Sequence, residues 1–474
     1  MKIKRSTAVL ILEISIIYLL SITSSIVFWN NAESGLRVVS WITNIIYLFS
    51  IYKIYKRDND YLDFGIIFLT LLFLFCNGQF LLYSFGVTEN ELSIFKYNYN
   101  DLMKCETYFL FSYLSISLPF IVRKKSSKKE YNNETNVSAL DKSIKTFAII
   151  LIIIFSIPFL SPRIGNFLIS TRYGYDYIYY GDVENISFGN IIGYFSNLFM
   201  VGLFLLLYAY RNEKAQSRIV MLFLLALVML YMITGLRGSA LTLLICIMLM
   251  YFKFINTNKK AKNIIAPIII ILTIIAIPII KDFRASTNKT IDSFSSYASI
   301  SSGGDSIIRT ISELGGSAKP FMMVEHIVPA KYPYKYGLSY ISSLFAMLPS
   351  SVYGTTFFTD NASLDIWLMD TYSMSYGPGF SIMAESYYNF GYYGGILFSL
   401  LLGIILSKTL YYQSKNIKYH SINYVFSVVF LLMSLMTVRG SFFHVPKCIV
   451  FLMIIPFLII VGINNRNAQN KGKE

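Results

Sequence analysis

Residues 62–84 read LDFGIIFLTLLFLFCNGQFLLYS. From Phe64 to Ser84 there is no charged side chain, and a helix of that length, at 1.5 Å rise per residue, spans about 30 Å, the thickness of a bilayer's hydrocarbon core. Runs of this kind recur along the whole chain. Of its 474 residues 55% are hydrophobic and only 14% charged, with mean hydropathy +0.55. A soluble domain carries about 25% charged residues, so a water-soluble fold is excluded and the bilayer is the solvent.

The reading is an all-α polytopic membrane protein of about twelve transmembrane helices. The expected spans are 8–28, 38–55, 62–84, 108–122, 147–160, 188–210, 219–234, 239–255, 264–280, 390–407, 422–438 and 445–463. The first resembles a signal peptide, but its apolar run is long and lacks a clear small-residue cleavage site, so it reads as a retained span. With the N-terminus inside, the inner connections contain Lys53, Lys56, Arg57, Arg123, Lys124, Lys125, Lys259, Lys260 and the tail from Arg466. This alternation leaves about 26 of the 41 Lys and Arg inside and about 15 outside, while about 17 of the 26 acidic residues fall outside. The formal charge of +15 is therefore a topology signal and a contact with anionic headgroups, not a nucleic-acid surface.

Three parts follow from this plan: helices one to nine over 1–280, a large extracytoplasmic loop over 281–389 between the ninth and tenth spans, and the last three helices with a cytoplasmic tail over 390–474. A shorter outer segment, 161–187, holds the aromatic stretch RYGYDYIYYG at 172–181, suited to an interfacial belt or a sugar site. Four cysteines, Cys76, Cys105, Cys246 and Cys448, form no C-x-x-C and have no histidine pair nearby, so neither zinc nor a disulfide framework is indicated. No Walker loop, dinucleotide fingerprint, H-E-x-x-H or G-x-S-x-G occurs.

The outer side should be poor in arginine, yet two short outer turns each carry one in similar wording: TGLRGS at 234–239 and TVRGS at 437–441. Each puts a guanidinium, Arg237 or Arg439, at the mouth of a helix hairpin, where a planar fork of donors suits phosphate oxygens. The bland reading is an arginine that snorkels to lipid phosphate or caps a helix. In the large loop, Arg284 follows a span directly, and Arg309 sits in an amphipathic stretch, 306–316, that reads as a short helix lying on the membrane. His326 offers a proton acceptor near neutral pH, against the bland reading of a structural histidine. Of the other histidines, His444 also falls outside and His420 inside. Glu385, in ESYYNFGYYGG at 385–395, is a carboxylate at a membrane boundary, suited to orienting a cation or sugar hydroxyl or to acting as a base. Glu13, alone in the first span, needs only to be neutral or to face a partner helix.

The span count, the GLRG turn at 235–238, the late outer loop and the Glu385 stretch resemble the bacterial O-antigen polymerases (Wzy), relatives of the O-antigen ligases. The resemblance covers most of the chain by architecture and a few short stretches by motif. It implies a metal-independent membrane glycosyltransferase without cofactor in the bacterial plasma (inner) membrane, its site facing the periplasm or exterior. It would polymerise oligosaccharide repeat units on undecaprenyl diphosphate into O-antigen of lipopolysaccharide or into capsular polysaccharide. Its partners would be the lipid-linked oligosaccharide, membrane lipids, a chain-length regulator and a flippase, with no nucleic acid. Arg237, Arg284, Arg309 and Arg439 are the positions that match the family's diphosphate-binding arginines. The late histidine of the ligases has no motif that fixes it to His326, which leaves His326 and Glu385 both open as the base. A lipid-linked oligosaccharide flippase or transporter and an O-antigen ligase are the competing readings; against a transporter, no paired inverted repeat stands out.

Overall fold

Asp63 starts the apolar run 64–84, its carboxylate accepting a hydrogen bond from the Gly65 N–H (2.9 Å) as the cap of the helix that follows. The same device starts the next helix, where Asn98 accepts from the Asp101 N–H (2.9 Å). The computed structural model describes residues 13, 15–16, 18–23, 26, 31–123, 137–173, 195–234, 236–256, 258, 260, 262–269, 304–348, 350–374, 377–415 and 422–471. Among them every regular element is helical and there is no strand.

Helices α1 (Ala32–Asp58), α2 (Phe64–Ser84), α3 (Tyr99–Val122), α4 (Val137–Tyr173), α5 (Leu198–Ala209), α6 (Lys214–Ile233) and α7 (Arg237–Met250) come first. Then come α8 (Gly304–Gly315), α9 (Lys319–Ile327), α10 (Leu338–Phe345), α11 (Ser350–Tyr353), α12 (Phe357–Ala362) and α13 (Leu364–Thr371). The chain closes with α14 (Ile382–Lys415), α15 (Asn423–Val438), α16 (Val445–Cys448) and α17 (Ile455–Lys471), the last two joined by a π-helical turn. Among the described residues eight helices are long and apolar enough to cross a membrane, and two shorter apolar ones, Leu198–Ala209 and Asn423–Thr437, accompany them. The expected spans 8–28 and 264–280 lie largely outside the described residues, as do most of the aromatic stretch 172–181 and all of Arg284.

Two spans are longer than the apolar runs announce. Helix α3 begins at Tyr99, nine residues before the expected 108, and carries polar residues of its first turns into contact with the rest of the protein. Glu106 is fully buried and accepts from Asn77 Nδ2 (2.8 Å), and Lys104 pairs with Glu325 (3.4 Å). Helix α4 continues through Pro158 and Pro162 to Tyr173, past the expected end of the span at 160. A membrane helix tolerates them when other donors satisfy the affected turn, and Arg163 Nη1 donates to the Phe159 carbonyl (2.6 Å).

Glycines weld one part of the bundle. A Cβ at Gly395 would stand 2.3 Å from the Tyr108 hydroxyl and one at Gly403 2.5 Å from the Ile116 carbonyl, so α14 and α3 touch backbone to backbone. Gly78 and Gly315 meet in the same way, and Gln79 Nε2 donates to the Ser312 carbonyl (2.6 Å). Helix α8 forms where the amphipathic stretch announced it, but it is seated against α2 instead of lying free on a membrane surface.

The basic residues expected inside also have structural partners. Arg57 donates to the Arg123 carbonyl (3.0 Å), Arg211 grips Asp141 through two nitrogens (3.0 and 2.7 Å), and Lys262 pairs with Asp60 (2.6 Å), tying helix ends together at one face of the bundle. Glu13 is likewise paired, to Lys53.

Candidate functional site

At the end of the bundle opposite that basic face, α4, α5, α6, α7, α13, α15 and the start of the last span surround a cavity of about 730 Å³. Its body is apolar: Met200, Val201 and Phe204 of α5, Leu243 of α7, Met433 of α15 and Leu452. Its polar groups are Ser239 and Asp365 in the first turns of α7 and α13, Arg439, Ser441 and His444 beyond the end of α15, and Arg163 within α4. The site is thus amphiphilic, a cationic mouth over a hydrocarbon-like interior.

Arg439 follows the last residue of α15, and its turn is fixed from behind. Its carbonyl accepts from the Phe380 N–H (3.5 Å), and three residues on the Phe442 N–H donates to Glu385 Oε2 (2.7 Å). The other oxygen of Glu385 accepts from Ser339 Oγ (2.7 Å), and Asn389 Nδ2 donates to the same hydroxyl (2.8 Å). Glu385 is therefore fully buried with both oxygens engaged, and it does not line the cavity. Its position owes something to Gly391, whose φ of 70° breaks α14 just beyond this network; a Cβ there would also meet Tyr334 at 2.9 Å.

Arg163 is held almost as firmly. Nε donates to the Tyr231 hydroxyl (2.9 Å), Nη1 to the Phe159 carbonyl, and the guanidinium stacks on the Phe159 ring with its carbon 3.6 Å from the centroid. A side chain so fixed presents its remaining N–H donors without further loss of rotamer freedom.

The two arginine turns, some two hundred positions apart, meet here. Leu236 and Ser239 of the first line the cavity beside Arg439, Gly440 and Ser441 of the second, and a Cβ at Gly238 would lie 4.0 Å from Arg439 Nη1. The backbone of Arg237 opens α7, while its side chain lies outside the described residues. Arg309 is exposed on α8 and His326 exposed at the end of α9; neither lines the cavity. The sequence reading did not select Arg163, Asp365 or the role of His444, which come together only in three dimensions. Among the described residues no group of three His, Cys, Asp or Glu side chains is arranged to hold a metal ion.

The arrangement can hold an anion at its mouth, keep an apolar tail in its body, and offer an imidazole and a carboxylate beside the anion. The family model described as O-antigen polysaccharide polymerase Wzy matches residues 10–471, nearly the whole chain, and the chain belongs to that family. No curated protein and no solved structure matches it.

Proposed function

We propose that this member of the O-antigen polysaccharide polymerase family lengthens a glycan carried on undecaprenyl diphosphate, for O-antigen or capsule, and that the amphiphilic cavity is where it does so. The reading takes about twelve spans, with the cavity end facing the periplasm or exterior and the 281–389 segment lying over it. The observation that carries it is the pairing of guanidinium groups with an apolar interior in one cavity, which suits a diphosphate joined to a long hydrocarbon chain.

In the reaction, a hydroxyl of the incoming lipid-linked repeat unit attacks the anomeric carbon of the growing chain. The new glycosidic bond forms as the bond to the diphosphate oxygen breaks, and the electron pair leaves with the diphosphate. Arg439 and Arg163 stabilise the charge that develops there, and Arg237, whose turn meets that of Arg439, is proposed to join them. The hydroxyl's proton passes to a base. Among the candidates, His444 is the one that lines the cavity, together with Asp365, whereas Glu385 is placed to hold the Arg439 turn and His326 stands on an exposed helix end. The exposed Arg309 is then left to meet a lipid phosphate elsewhere on that face.

Purified protein in liposomes with lipid-linked repeat units and no nucleotide tests this directly. Charge-assisted hydrogen bonds contribute roughly 1.5 to 3 kcal/mol each, so Arg439→Ala and Arg163→Ala should each slow elongation about ten- to a hundredfold. Lysine at either position should rescue only in part, lacking the fork. Wild-type rates from both alanine variants at normal protein levels, or a protein that moves the lipid between leaflets without lengthening its glycan, would overturn the proposal.

A further inference from the structure

Between Lys335 and Asp360 the chain carries no charged side chain, although this stretch lies in the middle of the segment expected outside the membrane. Helix α10 opens it, Pro349 interrupts it, and α11 and α12 follow. The faces of α10 are the reverse of a soluble helix. Ser339, Ser342 and Ser343 are buried against the protein, while Ile341, Leu344 and Phe345 point outward at 52, 50 and 46% exposure. Leu348 and Val352 continue the outward surface at 47 and 61%. A helix facing water buries its large apolar side chains and shows its small polar ones; one facing hydrocarbon does the opposite, with serines in the protein contact where backbones approach closely.

The serine side packs on the protein, and Ser339 ties it there by a hydrogen bond, while the Ser342 hydroxyl is buried without a hydrogen-bond partner among the described residues. Ser339 Oγ bonds to Glu385, and Ser343 Oγ donates to the Ser339 carbonyl (2.7 Å). Depth is set by Tyr340, whose ring stands 4.7 Å from that of Phe398 and 5.4 Å from that of Phe442. Phe398 lies in the charge-free part of α14, between Glu385 and Lys408, within a candidate membrane span. The outward face of α10 is thus continuous with the exposed apolar face of that span, where Leu397 and Leu401 stand. At its end Phe345 stacks on Phe358, and Tyr353 meets both rings edge-on, joining α10, α11 and α12.

We propose that residues 336–359 form a re-entrant hairpin, dipping into the hydrocarbon of the leaflet at the cavity end and returning to the same side. Its occupant is lipid acyl chain. The hairpin's protein side joins the network that holds the Arg439 turn, so its seat in the membrane also braces the mouth of the cavity.

The test needs no activity. The four native cysteines are buried and can be replaced. Single nitroxide labels go on Ile341→Cys, Leu344→Cys and Leu348→Cys, with Leu401→Cys as the lipid-facing reference and Lys331→Cys as the water-facing one. The protein is reconstituted into phosphatidylethanolamine and phosphatidylglycerol vesicles, and relaxation by oxygen is compared with relaxation by a water-soluble nickel chelate. The three hairpin sites should match Leu401, open to oxygen and shielded from nickel. Nickel access like that at Lys331 overturns the proposal. So does shielding from both reagents, which would mean that protein, such as a second copy of this chain, covers the face.

Discussion

One part of this bundle is welded and another is hollow, though both are built from the same apolar alphabet. In the welded part, α2, α3, α8 and α14 meet through Gly78, Gly315, Gly395 and Gly403, at distances that leave no room for a methyl group. In the hollow part, α5, α6, α7 and α15 present Met200, Phe204, Leu243 and Met433 to a common space that they do not fill. Glycine occurs there too, but it stands in the arginine turns, and Gly238 leaves open space up to the Arg439 guanidinium, 4.0 Å from where its Cβ would be. A void lined by apolar side chains forfeits the dispersion contacts its walls would otherwise make, so one of this size persists in a well-packed membrane protein when something apolar occupies it in use. The contrast teaches where rigidity is placed: the welded part carries Glu385, which reaches across to fix the turn of the hollow part.

The largest effect should come from the cavity mouth. If His444 takes the hydroxyl proton, His444→Ala should slow elongation by about 10² to 10⁴ while binding of the lipid-linked repeat is kept, and His326→Ala should stay within about twofold of wild type. Single-turnover elongation beside a lipid-binding measurement separates the two. The reverse ranking would break the comparison, because the outer segment would then have to close its exposed histidine over the cavity.

A second pair of variants probes the packing itself. Gly403→Leu forces a side chain into the Ile116 backbone and should destabilise the protein by about 3 kcal/mol, whereas Gly238→Ala should change stability by less than about 0.5 kcal/mol. Thermal unfolding in detergent reads both. Equal effects would mean that the welded and hollow parts are not mechanically distinct.

Much of this plan was legible in the sequence, because span-length apolar runs and charge asymmetry are local or summed properties. Among the described residues the runs gave helices near the expected places, although α4 continues past the expected end at 160 and Asp101 and Glu106 hid the first turns of α3. The two arginine turns could be paired because they repeat a wording. Arg163, Asp365 and His444 could not: no motif in its own segment marks any of them, and their nearness depends on how α4, α13 and the last span come together. His326 drew notice for its chemistry alone, which says nothing about what it faces. Glu385 stood out as a carboxylate at a boundary, but only its partners reveal a structural reason for being there.

Those partners make Glu385 the finest test of the link between the two parts. Glu385→Ala leaves the Phe442 N–H and the Ser339 hydroxyl without their acceptor, a loss of roughly 1 to 3 kcal/mol, and loosens the turn that carries Arg439. Elongation should fall about tenfold, a shift of about 1.4 kcal/mol, through the rate of transfer more than through binding of the lipid-linked repeat. Glu385→Gln keeps a carbonyl oxygen for the Phe442 N–H and offers its amide to the Ser339 oxygen, so it should recover most of the rate. Because the carboxylate acts through Arg439, Glu385→Ala combined with Arg439→Ala should be hardly slower than Arg439→Ala alone. Full additivity in that cycle would separate Glu385 from the arginine. A glutamine variant as slow as the alanine one, folded and binding normally, would instead assign the carboxylate to the chemistry itself, and the welded part would then hold a reacting group in place of a brace.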